Sequence, residues 1–335
     1  MLHVIVSRGQ SNNPKKRALE DQLIEQLDAM AGVRVVITPN LYDLPMQSEG
    51  MDALRELEGD LVVLSWSYPR AAHWTLDRCG IRGAEGAVQL IEAVDEDDED
   101  DWEADLAEDT PKERVADQRT PAERNIFCIH LAVSEDAAAF VDEVQRIVKE
   151  SSAHLLQWLQ GEATSEQLDR YLDDRNEPAP LTIAATGGRR WYPVIDFSRC
   201  TNCMECIDFC LFGVYGVDGA ETILVEQPDN CRKGCPACSR VCPENAILFP
   251  QHKSPAIAGS PGATGGLKID LSELFYGGGG DAVQVAAQER DEQLRLAGRE
   301  AVGMTIGIPR RQDPDQERPK DDLDSLIDEL DELDV

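Results

Sequence analysis

A doubly wound α/β parallel sheet, followed by a small cysteine-rich α+β domain and a flexible acidic tail, is the fold class that the sequence predicts. Three observations carry it. Apolar runs of strand length alternate with helically spaced segments through residue 150; eight of the ten cysteines fall between 200 and 242; and 64 acids against 32 bases leave a net charge of −32, concentrated in two stretches. A chain of 335 residues is long enough for two or three compact domains. Strands alternating with helices imply a mostly parallel sheet covered on both faces.

Residues 2–7 read as a buried strand, and 15–31 as a helix with Leu19, Leu23, Ile24, Leu27 and Met30 on one face. The alternation repeats with a strand at 33–38, a helix at 47–57, a strand at 60–67 and a helical stretch at 71–94. A fourth strand at 125–133 precedes a helix at 134–150 whose apolar face carries Phe140, Val141, Val144, Ile147 and Val148. These elements form one domain, 1–150, interrupted by an acidic insertion at 92–121. Residues 92–109 alone hold twelve acids and no base, and that much like charge resists packing. A helical segment and a Pro/Gly-rich linker occupy 151–188. The cysteine-rich domain spans 189–252, and 253–335 is a flexible tail by composition. At its end Leu323, Leu326, Ile327, Leu330 and Leu333 recur at helical spacing among acids, the pattern of an amphipathic helix that docks on a partner.

No apolar run approaches the roughly 20 residues of a membrane-spanning helix. The first residues lack the basic-then-apolar layout of an export signal, so a cytoplasmic location is expected. The negative charge argues against phosphate-backbone binding, and hence against nucleic acid as the main partner. In that setting the cysteines read as reduced thiols, metal ligands before disulfides.

Two motifs carry the chemistry: Cys200-x2-Cys203-x2-Cys206-x3-Cys210, and Cys231-x3-Cys235-x2-Cys238-x3-Cys242 followed by Pro243. Short spacings let three thiolates of one loop reach three irons of a cubane, while the fourth cysteine points elsewhere and ligates the other cluster. Crossed in this way, Cys200, Cys203, Cys206 and Cys242 hold one 4Fe–4S cluster, and Cys210, Cys231, Cys235 and Cys238 hold a second. A pair of zinc sites is the competing reading, but zinc sites commonly use separated C-x2-C pairs, whereas each run here has a third and a fourth cysteine.

In these runs, in Val194-Ile195-Asp196 before them and in Cys242-Pro243-Glu-Asn-Ala246-Ile247 after them, the sequence resembles the two-cluster bacterial-type ferredoxins over about 60 residues. The resemblance implies the small ferredoxin fold, two helices on short antiparallel strands with pseudo-twofold symmetry. It also implies electron transfer to and from redox partner proteins, without catalysis at the clusters. Two positions depart from the family pattern: Leu211 stands where proline usually follows the fourth cysteine, and one extra residue separates Cys231 from Cys235. Gly234 lies in that insertion and absorbs it if its φ is positive. Asp218-Gly219 between apolar runs is a hairpin signal resembling the family's linking hairpin.

In the first domain, Trp66, Tyr68, Arg70, His73 and Trp74 gather within nine residues after the third strand. Trp66, Tyr68 and Trp74 are candidates to stack on a planar ligand such as flavin or to meet a partner; aromatics closing a domain edge explain them as well. The layout is similar to flavodoxin domains fused to ferredoxin modules, yet the loop Arg8-Gly-Gln-Ser11-Asn12-Asn13-Pro14 lacks that family's Thr/Ser-Gly-x-Thr phosphate pattern. Neither G-x-G-x-x-G nor G-x4-G-K-S/T occurs. Cys79 stands beside Arg78 and near Arg82, cations that lower a thiol pKa. Cys128, His3 and His130 read as core residues of strands. Three functions follow as expectations: an iron–sulfur electron carrier; a flavin-linked oxidoreductase whose clusters feed a ligand on the α/β domain; and an adaptor with structural clusters that docks through its acidic C-terminal helix.

Overall fold

The computed structural model describes residues 2–91, 112–120, 122, 124–158, 180–184, 187–260 and 282–305. The core of the insertion, most of the 151–188 segment, the glycine-rich stretch and the acidic C-terminal helix expected at 321–335 lie outside the described residues. Among the described residues no helix is long and apolar enough to cross a membrane.

The N-terminal half is a six-stranded parallel sheet: β1 (Leu2–Ser7), β2 (Val33–Thr38), β3 (Leu61–Ser65), β4 (Ala84–Glu85), β5 (Asn125–His130) and β6 (Leu181–Thr182), in the spatial order β4-β5-β3-β1-β2-β6. Helices cover both faces because successive strand residues point to opposite sides. Val4, Val6, Val35, Val62 and Leu64 pack against α1 (Pro14–Asp28) and α4 (Ala137–Trp158). Ile5, Val36 and Val63 pack against α2 (Glu49–Arg55) and α3 (Pro69–Arg78). Leu23 and Leu27 of α1 are fully buried, each contributing about 1.5–3 kcal/mol. The side chains of Asn13 and Ser48 cap α1 and α2 by accepting the backbone N–H groups of Lys15 and Met51.

Three expectations are corrected here. The helix expected at 71–94 ends at Arg78, where the N–H groups of Cys79 and Gly80 bond back to Thr75 and Asp77; the chain then runs extended into edge strand β4, tied to β5. The sheet domain also does not stop at 150, because Leu181–Thr182, read as linker, pairs with Val36 and Ile37 of β2. The end of the acidic insertion packs as well. Val115 is buried in a 3-10 turn, and its N–H and that of Ala116 donate to the carbonyls of Cys200 and Phe197 at 2.8 and 3.0 Å.

The cysteine-rich half is built from two antiparallel pairs, β7 (Val194–Ile195) with β10 (Ile247–Leu248) and β8 (Tyr215–Val217) with β9 (Ile223–Val225). Two short helices, α5 (Glu205–Phe209) and α6 (Ala237–Val241), follow the cysteine loops. The turn between β8 and β9 is held by the Asp218 carboxylate, which accepts the N–H groups of Ala220 and Thr222; Glu221, rather than Gly219, takes the positive φ. Past β10 come α7 (Pro255–Ala258) and α8 (Ala282–Leu296).

Helix α3 joins the halves. Ala72 and Leu76 face the sheet, while Ala71 and Trp74 belong to the core of the cysteine-rich half. Beside it Tyr42 and Tyr192 stack with ring centroids 4.2 Å apart. The Tyr42 hydroxyl accepts the Tyr192 N–H at 2.6 Å and donates to the Tyr192 carbonyl at 2.5 Å, while the Tyr192 hydroxyl donates to the Tyr42 carbonyl. Tyr42→Phe therefore orphans a buried amide. A loss of about 1–3 kcal/mol is expected, read as a lower urea midpoint in far-UV circular dichroism.

Candidate metal centre

The backbone of each cysteine run turns its thiols toward a common space. In the first, Asn202 and Met204 adopt left-handed φ values of 60° and 64°, a conformation costing a non-glycine residue roughly 1–2 kcal/mol. The turn is fed by Asp196, whose carbonyl accepts the Cys200 N–H at 3.0 Å. Cys206 then rides on α5, and Cys210 leaves its end in an extended conformation. The second run repeats the design. Gly234 has a φ of +86° with nothing within 4 Å of a Cβ placed there, so it accommodates the extra residue after Cys231. Cys238 rides on α6, and Cys242 leaves it extended.

Two cavities result. Cys200, Cys203, Cys206 and Cys242 line one of about 380 Å³, counting its open mouth. Cys210, Cys231, Cys235 and Cys238 line the other, of about 320 Å³. Each run thus contributes three thiols to one cavity and sends its remaining thiol across to the other, because Cys210 and Cys242 stand at the far ends of α5 and α6. Among the described residues no three Cys, His, Asp or Glu side chains draw together tightly enough to hold a single metal ion.

Burial dominates the electrostatics. It pushes the thiols of Cys206 and Cys238 well above their ordinary pKa, Cys235 to about 11 and Cys242 to about 12, and neighbouring thiols add to the rise. Eight thiolates cannot persist here without a compensating cation, so occupancy by a metal group must release protons. Donors are already aimed at sulfur: the N–H groups of Asn202 and Ala246 approach Cys200 and Cys242 Sγ at 3.4 and 3.3 Å, and the Tyr215 hydroxyl approaches Cys238 Sγ at 3.1 Å. Buried Ile247 lines the first cavity and buried Phe209 the second, and Phe197 and Phe249 are buried in the same apolar core as Cys238 and Cys242.

The aromatics of the first domain are not brought together. Trp66 lies in the crevice between the loops after β1 and β3, where the strand order reverses. Its indole packs so closely on Gly9 that a Cβ there would sit 2.7 Å from Cδ1, and its Nε1 donates to the buried Glu20 carboxylate at 2.8 Å. Lys16 Nζ sits 3.9 Å from the ring centroid. Trp74 points the other way, edge-on to Phe197 at 5.8 Å. Tyr68 lines an open cavity with His73, His130 and Arg199, and its ring lies 4.7 Å from that of His130. Cys79 is an ordinary buried thiol: burial raises its pKa, outweighing Arg78 and Arg55. Cys128 is a buried strand residue whose pKa is raised by burial. Sequence reasoning missed Arg290 of α8, which is buried in the wall of the second cavity.

No protein-family model and no solved structure matches the chain. A 66-residue stretch, 19% of the chain, is 38% identical to an uncharacterized ferredoxin of Methanocaldococcus jannaschii. It covers 44% of that protein, so the chain spans less than half the length of this relative. Over that stretch the chain is similar to part of a ferredoxin.

Proposed function

We propose that the chain is a one-electron carrier holding two 4Fe–4S clusters in the manner of a bacterial-type ferredoxin. One sits on Cys200, Cys203, Cys206 and Cys242, the other on Cys210, Cys231, Cys235 and Cys238, and electrons pass to and from protein partners. The observation that carries this reading is the exchange of thiols between two separate cavities, each ringed by four cysteines. The donor set is all sulfur, which suits zinc or iron–sulfur groups, and the sharing of thiols, three from one run and one from the other in each cavity, follows the ligand pattern of paired cubanes. Such clusters supply reversible one-electron chemistry when bound. The chain's own part is to present the thiols, donate hydrogen bonds to sulfur and exclude water. Trp66 is committed to Gly9 and Glu20, so nothing favours a flavin at the strand-order reversal.

Anaerobic reconstitution of the full chain tests the proposal. About eight irons and eight inorganic sulfides per chain are expected, with a low-temperature electron paramagnetic resonance signal on dithionite reduction. A colourless protein carrying zinc, or one that stays silent on reduction, overturns it.

A further inference from the structure

We infer that the buried guanidinium of Arg290 makes the cysteine set of Cys210, Cys231, Cys235 and Cys238 the higher-potential of the two, so that in the singly reduced protein the electron rests there. This builds on the two-cluster reading above. It comes from a part of the chain outside both cysteine runs. Helix α8 packs its buried Ala286 against Phe209, Cys235, Ala237 and Val241, and ties itself down through Glu289 to Arg240 at 3.0 Å. Just past it, Arg299 donates to the Leu211 carbonyl at 2.8 Å. This docking carries Arg290 into the second cavity's wall, where it is 1% exposed, with its guanidinium 4.5 Å from the Phe209 ring centroid. The Gly303 carbonyl at 2.5 Å and the Asp291 carboxylate at 3.3 Å hold it in place.

The walls of the two cavities differ in sign. Among the described residues Arg290 is the charged side chain lining the second; Asp291, which balances it, and Glu289, whose charge also acts on Cys235 but which is paired with Arg240, do not line that cavity. The first is lined instead by two acids, Glu205, which is buried, and Glu244, whose cationic partners Lys112 and Arg114 do not line it. Accepting an electron adds one negative charge. A cation in a low-dielectric wall stabilises that charge and a carboxylate opposes it, and a hydrogen bond to ligand sulfur acts as the cation does. Such bonds reach both sets, from the Asn202 and Ala246 N–H groups to Cys200 and Cys242 Sγ in the first and from the Tyr215 hydroxyl to Cys238 Sγ in the second, so the wall charges are what separate the two. The wall charges act in one direction: one electron shared between the sites moves toward the second, oxidising one cluster as it reduces the other.

The test is an anaerobic potentiometric titration of the full, reconstituted chain, followed by low-temperature paramagnetic resonance, with iron content read on every variant. Arg290→Gln should shift the upper couple downward by a factor of ten or more in its equilibrium constant, about 59 mV for one electron, and leave the lower couple in place. Arg290→Lys should restore most of the shift. Glu205→Gln should raise the lower couple alone. If Arg290→Gln moves the lower couple, or neither, the inference is overturned. Should that variant load less iron, Tyr215→Phe and Glu205→Gln decide in its place: the couple lowered by the first must be the upper and the couple raised by the second the lower, and the reverse overturns the assignment. A wild-type chain that assembles no clusters fails earlier, and defeats the two-cluster proposal itself.

Discussion

Serine at both Cys203 and Cys242 is expected to leave one 4Fe–4S signal intact and about half of roughly eight irons, whereas serine at both Cys203 and Cys210 is expected to leave no unaltered signal. The contrast is sharp because it opposes sequence proximity. Cys203 and Cys210 belong to one run, but the fold sends them to different cavities; Cys203 and Cys242 are far apart in sequence and line the same one. The first double variant therefore removes two of four donors from one set and spares the other. The second takes one donor from each. Contiguous pairing of each run predicts the opposite, so iron and sulfide analysis with the reduced-state resonance spectrum separates the two. An intact signal in the Cys203→Ser, Cys210→Ser chain would defeat the crossed assignment.

The sequence predicts the crossed sets from cysteine spacing, a local property, since the helical segment between the third and fourth thiol directs the fourth, and the cysteines line the two cavities in that pattern. The strand and helix alternation was legible for the same reason, apolar period against polar gaps. Features that depend on where distant segments land were not. Leu181–Thr182 is too short and too close to prolines to announce a strand, and it becomes one only because β2 has a free edge. The apolar residues from 81 to 91 continued a helical pattern, yet the C-terminal bonds at Cys79 and Gly80 close the helix first.

Trp66 and Trp74 looked like one aromatic cluster because eight positions separate them. The chain between them passes from loop into helix, so one indole turns toward Glu20 of α1 and the other toward Phe197. Arg290 was invisible because a glycine-rich stretch separates it from the cysteines, and nothing in its own neighbourhood marks it as part of their wall.

Asp196→Ala is expected to be the most damaging single substitution outside the thiols, because one buried carboxylate holds both the domain junction and the first cysteine turn. Asp196 is 1% exposed, and Arg70 of α3 donates to its carboxylate and to the Asn245 carbonyl, gripping the chain beside β7 and β10 at once. The same carboxylate accepts the Ser198 N–H at 2.9 Å and the Ser198 hydroxyl at 2.5 Å, shaping the turn that delivers Cys200. Removing it leaves the guanidinium buried without its anion, a loss of about 3–5 kcal/mol, read as a lower urea midpoint. It also frees the turn, so iron should be lost from the first set in preference to the second. Adding Arg70→Met to Asp196→Ala removes the stranded charge. Most of the lost stability should return, since a buried pair replaced on both sides by apolar groups is often near neutral, while the loading defect should persist because Ser198 still lacks its acceptor. Recovery of both together would mean that the ion pair, and not the turn, positions Cys200.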